Sequence, residues 1–191
     1  MARRRVGVAL LLDPPVADEV DGLRRALGAT DLARLAPHVT LVRPINLRAA
    51  DLPAALERLR AAAGAAPAPL RLSLGLPATF APANPVLHLQ VGGDLPTLRA
   101  LQQAVTAPPL DRPSPWPYVP HVTLLDGVGA ELEAAAIAAL GRYAAVVDVD
   151  RVVLLEERVG GPPGAGGPGA DGGPGRGSPG GGGPSGGSPG A

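Results

Sequence analysis

The chain has 191 residues, 46% of them hydrophobic, and its 17 basic residues balance 17 acidic ones, so its formal net charge is zero. This length accommodates one domain with a substantial core. The zero charge excludes the basic excess that is typical of proteins binding long nucleic acids without sequence preference. The absence of cysteine excludes a thiol nucleophile, a cysteine-ligated zinc site and disulfides.

The first apolar run, at residues 6–12, predicts a buried strand rather than a targeting segment. It is short for a secretory signal and ends in Asp13-Pro14-Pro15 without a small-residue cleavage site. No other run approaches the about 18 apolar residues that a membrane span needs. We therefore expect a cytoplasmic, monomeric protein that acts on a small ligand and has no contact with a membrane.

Strands and helices are predicted to alternate along residues 1–159. Strands are expected at 6–12, 37–42, 71–76, 86–91, 121–125 and, as one or two strands, at 146–155. Helices are expected after Asp13 up to Gly28, from 52 to Gly64, after Asp94 to 105, and at 131–140 before Gly141. In the third strand, the alternation predicts that Leu72, Leu74 and Leu76 share one face.

The composition changes sharply near Val159. Residues 160–191 are almost wholly glycine, proline, serine and alanine. Such a segment buries too little apolar surface to offset the entropy lost on ordering. Glycine pairs also interrupt the strict three-residue period of collagen. We therefore expect one domain at 1–159 and a disordered tail at 160–191.

A five-residue segment, PHVTL, occurs identically at 37–41 and at 120–124. This repeat indicates a duplicated, two-lobed α+β domain. Side chains two residues apart share a face of a strand, so His38 lies beside Thr40 and His121 beside Thr123. If a pseudo-twofold axis relates the lobes, the two pairs meet across one groove.

Two histidines and two threonines in that arrangement are suited to phosphoryl chemistry. One imidazole can take the proton of the attacking oxygen while the other protonates the leaving oxygen. The threonine hydroxyls can donate hydrogen bonds to the nonbridging oxygens, and no metal ion or cofactor is required. A single copy is most simply an ordinary strand, whereas two identical copies favour catalysis.

The two motifs, His38-Val-Thr40-Leu and His121-Val-Thr123-Leu, resemble the paired His-x-Thr/Ser-x signature of the two-histidine (2H) phosphoesterase superfamily. This superfamily includes 2′-5′ RNA ligase-like proteins and cyclic nucleotide phosphodiesterases. The resemblance covers about residues 5–158, including the run 70–89 and the strand after residue 145. It implies an α+β fold of two pseudo-symmetric lobes of antiparallel sheet, with helices packed outside and a central groove.

The resemblance also implies an activity. The catalytic quartet would be His38, Thr40, His121 and Thr123. The enzyme would be a hydrolase that opens 2′,3′-cyclic phosphates or 2′-5′ phosphodiesters in nucleotide or RNA-derived substrates. The resemblance favours His38 as the acid and His121 as the base. Many relatives carry a basic residue after the second motif, where this chain has Leu-Asp126, which argues against ligation and extended nucleic-acid binding.

Three residues near the motifs are candidates for substrate binding: Arg43, Trp116 and Tyr118. Arg43 follows the first motif, although strict alternation points it away from His38. The two aromatic residues precede the second motif, where they can stack on a base or fix the proline-rich loop 107–120 to the domain. Arg112, in the same loop, is a candidate phosphate contact or a solvated residue.

The remaining features leave alternatives open. The third histidine, His88, is predicted to be a solvated strand position beside Gln90, with a substrate contact in the groove as the alternative. The chain can also be a noncatalytic module that binds a nucleotide or RNA end in the same groove. A metallohydrolase using His38, His121 and an aspartate is disfavoured, because the sequence lacks His-x-His and His-Glu-x-x-His motifs.

Overall fold

The computed structural model describes residues 2–30 and 32–157, so the predicted tail at 160–191 lies outside the described residues. Strands and helices alternate in the predicted order. They are β1 (Arg3–Leu11), α1 (Val16–Ala26), β2 (His38–Arg48), α2 (Leu52–Ala65), β3 (Leu70–Phe80), β4 (Asn84–Gly93), α3 (Leu95–Val105), β5 (His121–Asp126), α4 (Ala130–Leu140), β6 (Ala144–Val149) and β7 (Val152–Glu156). No described helix combines the length and the apolar character needed to cross a membrane.

The strands form two antiparallel sheets, which confirms the predicted α+β class. The first sheet has the order β2-β1-β7 and the second has the order β5-β4-β3-β6. The motif strands, β2 and β5, are therefore outer strands of their sheets, and they contact each other. As a result, the two copies of the repeated segment lie where the two sheets meet.

Each sheet is covered by two helices. One of the two, α3 on the first sheet and α1 on the second, comes from the opposite half of the chain to the motif strand that it covers. Helix α3 packs on β2 and α2 packs on β7, whereas α4 packs on β3 and α1 packs on β5 and β6. Thus α1 precedes β2 in the chain but supports β5, and α3 precedes β5 but supports β2. We call the first sheet with α2 and α3 the first lobe, and the second sheet with α1 and α4 the second lobe.

The core side of each motif strand is fully buried. Val39, Leu41, Val122 and Leu124 are at most 3% exposed, and all four belong to one continuous apolar cluster. Burying a side chain of this size contributes about 1.5–3 kcal/mol. Because side chains alternate along a strand, this burial turns the histidine and threonine of each motif to the opposite face, where they are half-buried.

The prediction that three leucines of β3 share a face is wrong for one of them. Leu72 and Leu74 are buried, but Leu76 is 60% exposed and has a φ of +47°. The pairing of β3 with β4 shifts register between Gly75 and Pro77. A bulge of this kind inserts one residue without a partner and reverses the alternation after it, so the side chain of Leu76 points to solvent.

Candidate active site

The structure brings the four predicted catalytic residues together at the junction of the two sheets. Within the first sheet, His38 lies opposite Leu11 of β1 and Thr40 lies two residues further along β2. Within the second sheet, His121 lies opposite Gln90 of β4. The charge of His121 acts on His38 and lowers its pKa, so the two imidazoles are close enough to influence each other.

The two motif histidines are anchored identically. Nδ1 of His38 donates to the carbonyl oxygen of Ala36 over 2.9 Å, and Nδ1 of His121 donates to that of Val119 over 2.8 Å. A carbonyl can only accept, so Nδ1 carries the hydrogen in each ring. Within the described part of the chain, Nε2 of neither ring has a hydrogen-bond partner, so Nε2 is the atom available for proton transfer.

Burial lowers the pKa of His38 below its usual 6.5, and the positive charges of Arg24 and His121 lower it further. The hydrogen bond to Ala36 acts in the opposite direction but is weaker than the desolvation. The neutral form of His38 is therefore favoured near pH 7. A neutral imidazole with a free Nε2 is the form that a general base requires.

The third histidine lies in the same site, and the prediction that it is solvated is wrong. His88 is 2% exposed. Its ring stacks on Phe80 with 4.1 Å between centroids and meets His121 edge to face at 5.1 Å. Phe80 also contacts His121 directly, at 5.0 Å. The alternation was correct, because His88 pairs with Thr123 and shares the face of the motif, but that face is covered by Phe80.

His88 is held as a neutral group. Its Nδ1 donates to the carbonyl oxygen of Val86 over 3.2 Å. Burial lowers its pKa, and the charge of His121 contributes in the same direction. The buried ring of His88 lies against both Phe80 and His121 and therefore supports the second motif histidine from within the domain.

Sequence reasoning missed Arg24, which reaches from α1 to the second motif segment and to the residues just before the first. It is 7% exposed. Its Nε donates to the carbonyl oxygen of Thr123 over 3.0 Å, and its Nη1 donates to that of Leu35 over 3.1 Å. Nη1 also pairs with Asp21 at 3.2 Å. The available signal was spacing, since Arg24 lies one helical turn after the buried Val20.

The predicted substrate-binding residues lie on or beside the proline-rich loop. Arg43 is exposed, and its Nη2 donates to Ser114 Oγ over 2.5 Å. Arg112 donates to the carbonyl oxygen of Pro44 over 3.0 Å. Both arginines therefore attach the loop to β2. Trp116 is 66% exposed, so its ring is free to meet a ligand.

Tyr118 differs from Trp116 in its surroundings. Its side chain is half-buried, and among the described residues its hydroxyl has no hydrogen-bond partner. Burial raises the pKa of the hydroxyl well above its usual value of 10. Tyr118 is thus placed to pack the loop against the domain.

Within the described residues, no group of three histidine, cysteine, aspartate or glutamate side chains is arranged to hold a metal ion. The metallohydrolase alternative therefore gains no support from the donor set. In comparisons with known proteins, a family model described as the 2′-5′ RNA ligase superfamily matches residues 12–161. A search of curated proteins finds no match.

Proposed function

Because the chain belongs to the 2′-5′ RNA ligase superfamily, the two-histidine phosphoesterases, we propose that it hydrolyses a 2′,3′-cyclic phosphate or a related 2′-5′ phosphodiester. Membership supports a phosphoesterase or ligase activity in general. The substrate would be a nucleotide or an RNA end, and no metal ion would take part. The observation that carries the proposal is the pair of histidines on contacting strands of the two sheets, each with Nδ1 anchored and Nε2 free.

In the proposed reaction, Nε2 of His38 takes a proton from water, and the oxygen of that water attacks the phosphorus. Nε2 of protonated His121 donates its proton to the ribose oxygen as the bond between that oxygen and phosphorus breaks. The product is a phosphomonoester, and solvent exchange restores both imidazoles. The hydroxyls of Thr40 and Thr123 donate hydrogen bonds to the nonbridging oxygens, where negative charge lies in the transition state.

The lowered pKa of His38 supports this division of roles. A base must be neutral when the substrate binds, and burial beside a fixed cation favours the neutral form. The resemblance alone favoured the reverse order. In the ligation direction, the same two groups would exchange roles by microscopic reversibility.

We further propose that Trp116 stacks on the base of the substrate. Base–aromatic stacking contributes about 1–3 kcal/mol per base and does not depend strongly on sequence. Arg43 would contribute by holding the loop that carries Trp116, and Tyr118 by packing that loop. A single stacking contact and a chain without net charge fit a short substrate better than a long RNA. We expect the enzyme to act as a monomer.

The test is turnover of 2′,3′-cyclic nucleotides in the presence of EDTA. His38→Ala and His121→Ala should each lower kcat/KM by about 10²–10⁴-fold, and Trp116→Ala should raise KM about tenfold. Arg58→Ala, an exposed substitution on α2, is the matched control and should leave both constants unchanged. Loss of turnover with EDTA, or turnover that survives both histidine substitutions, would contradict the proposal.

Two other outcomes would redirect it. Binding of the same nucleotides without turnover, abolished by the histidine substitutions, would support a noncatalytic module that uses the same groove. Joining of RNA ends in place of cleavage would identify the ligation direction. Analysis of the product position, 2′ or 3′, would show which bond breaks.

A further inference from the structure

The two helices that support the motif strands carry side chains at equivalent positions. In α1, Val20 and Leu23 precede Arg24; in α3, Leu98 and Leu101 precede Gln102 with the same spacing. Each of these polar side chains donates to a backbone carbonyl of the motif strand that its helix covers. Nε of Arg24 donates to Thr123 over 3.0 Å, and Nε2 of Gln102 donates to Leu41 over 3.5 Å.

The equivalent positions differ in charge. Arg24 is a cation that is only 7% exposed, whereas Gln102 is neutral and also donates to Thr106 Oγ1 over 2.9 Å. Arg24 also donates to the carbonyl oxygen of Leu35, in the segment that leads into His38. Gln102 makes no equivalent contact with the segment before His121 among the described residues. The pseudo-symmetric site thus contains a fixed positive charge on one side.

We propose that Arg24 is a positioning residue that makes the two identical motifs unequal: it holds the His121 strand against the segment before His38, and it reserves the proton-accepting role for His38. The assignment of that role rests on the proposed function, whereas the inequality of the two imidazoles does not.

The contacts of Arg24 explain how one side chain can both position the His121 strand and influence His38. The carbonyl of Leu35, which Arg24 binds, is next in the chain to the carbonyl of Ala36, which His38 binds. A buried cation at one carbonyl disfavours a second cation on the imidazole at the next. The pKa of His38 is lowered accordingly, with burial as the largest cause and Arg24 contributing.

Within the described residues, the charges that act on His38 are those of Arg24 on α1 and His121 on β5. Arg24 in turn forms an ion pair with Asp21. The residue opposite His38 on β1, Leu11, is apolar. On the second lobe, the charge of His121 acts on His88, and His88 is not among the groups that act on His38. A change in the charge of Arg24 should therefore be visible at His38.

The experiment is an NMR titration of the Hε1 resonances of the three histidines in the full-length protein, assigned with single His→Gln variants. Arg24→Gln introduces into α1 the residue type that α3 has at the equivalent position, Gln102. A glutamine can still donate a hydrogen bond but carries no charge. Arg24→Lys keeps the charge and loses the two-pronged contact. Arg25→Gln is the matched control, because Arg25 is the exposed neighbour on the same helix.

At pH 6.5, we expect the protonated fraction of His38 to increase about twofold or more in Arg24→Gln and to stay close to the wild-type value in Arg24→Lys and in Arg25→Gln. Amide resonances of Leu35 and Thr123 should shift in both Arg24 variants. An unchanged His38 titration in Arg24→Gln, or an equal change in Arg25→Gln, would overturn the proposal.

Asp21→Asn keeps the proposal testable if the Arg24 variants fail to fold. This variant leaves both carbonyl contacts of Arg24 intact and removes the anion that offsets its charge, so the protonated fraction of His38 at pH 6.5 should decrease. An increase would contradict the proposal. The titrations need no turnover, so a protein that shows the expected shifts but hydrolyses nothing would refute the proposed function and leave the inequality of the imidazoles established.

Discussion

His38 and His121 stand on identical five-residue segments but have different surroundings. His38 lies opposite the apolar Leu11, and its pKa is lowered by burial and by the buried charge of Arg24. His121 packs against the rings of His88 and Phe80. Each imidazole is anchored in the same way, through Nδ1 to the carbonyl two residues before it, whereas more distant residues set its electrostatic environment. Two copies of one peptide can therefore take different catalytic roles.

The largest expected effect is the loss of activity in the two histidine variants, and comparing substrates with poor and good leaving groups would separate the acid from the base. With a 2′,3′-cyclic nucleotide, His38→Gln and His121→Gln should each lower kcat/KM about 10³-fold, or about 4 kcal/mol. A diester with 4-nitrophenolate as the leaving group needs no general acid. With that substrate, His121→Gln should cost about tenfold or less, while His38→Gln should still cost about 10³-fold.

Steady-state kinetics with the two substrates would measure this difference. The opposite pattern, with activity restored in His38→Gln, would make His38 the acid and His121 the base. Equal restoration in both variants would show that the surroundings of the two histidines do not divide the roles.

A smaller effect concerns the aromatic support of the second lobe. Phe80→Ala should lower the free energy of unfolding by about 2 kcal/mol, because it removes a half-buried ring that stacks on His88. Urea denaturation would measure the loss, with Phe80→Leu as the control that retains apolar volume and should lose less. By NMR, the resonances of His121 should shift more than those of His38. An equal shift at His38 would show that the effect of Phe80 is not confined to the second lobe.

The smallest predicted effect is a dependence of stability on pH. The folded-state pKa values of His38 and His88 are both lowered from 6.5, mainly by burial. The unfolded chain therefore binds more protons below pH 6.5, so stability is greatest above pH 6.5 and falls as the pH decreases through the folded-state values. Both histidines should contribute to this loss.

Thermal unfolding between pH 5 and 8 would test this dependence. The decrease in Tm on acidification should be smaller in His88→Gln than in the wild-type protein, because a glutamine does not titrate. A Tm that is constant below pH 6.5, or that rises, would contradict the inferred neutral state of the two histidines.

The sequence was sufficient to predict the order of the elements and the position of the motif residues. Both depend on local patterns: the alternation that buries Val39 and Val122 also turns the histidines to the opposite face of each strand. The identical repeat supplied the long-range information that the two copies meet.

The surroundings of the motif could not be predicted in the same way. Alternation placed His88 on the correct face but could not show that Phe80, from the neighbouring strand, covers it. The role of Arg24 depends on α1 crossing to the second sheet, which no local pattern reveals. The register shift in β3 that exposes Leu76 is likewise invisible in an alternating run of leucines.

The crossing of α1 and α3 has a consequence for how the chain folds. The first half of the chain, from β1 through β3, contains the His38 strand, but the helix that packs on this strand, α3, lies in the second half. The second half contains the His121 strand, but the helix that packs on it, α1, lies in the first half. Each sheet also takes one strand from the other half, β7 in the first and β3 in the second. Contacts between distant parts of a chain form slowly, because closing the intervening loop costs entropy. We therefore expect that neither half folds by itself and that the two motif strands come together only when the two halves associate.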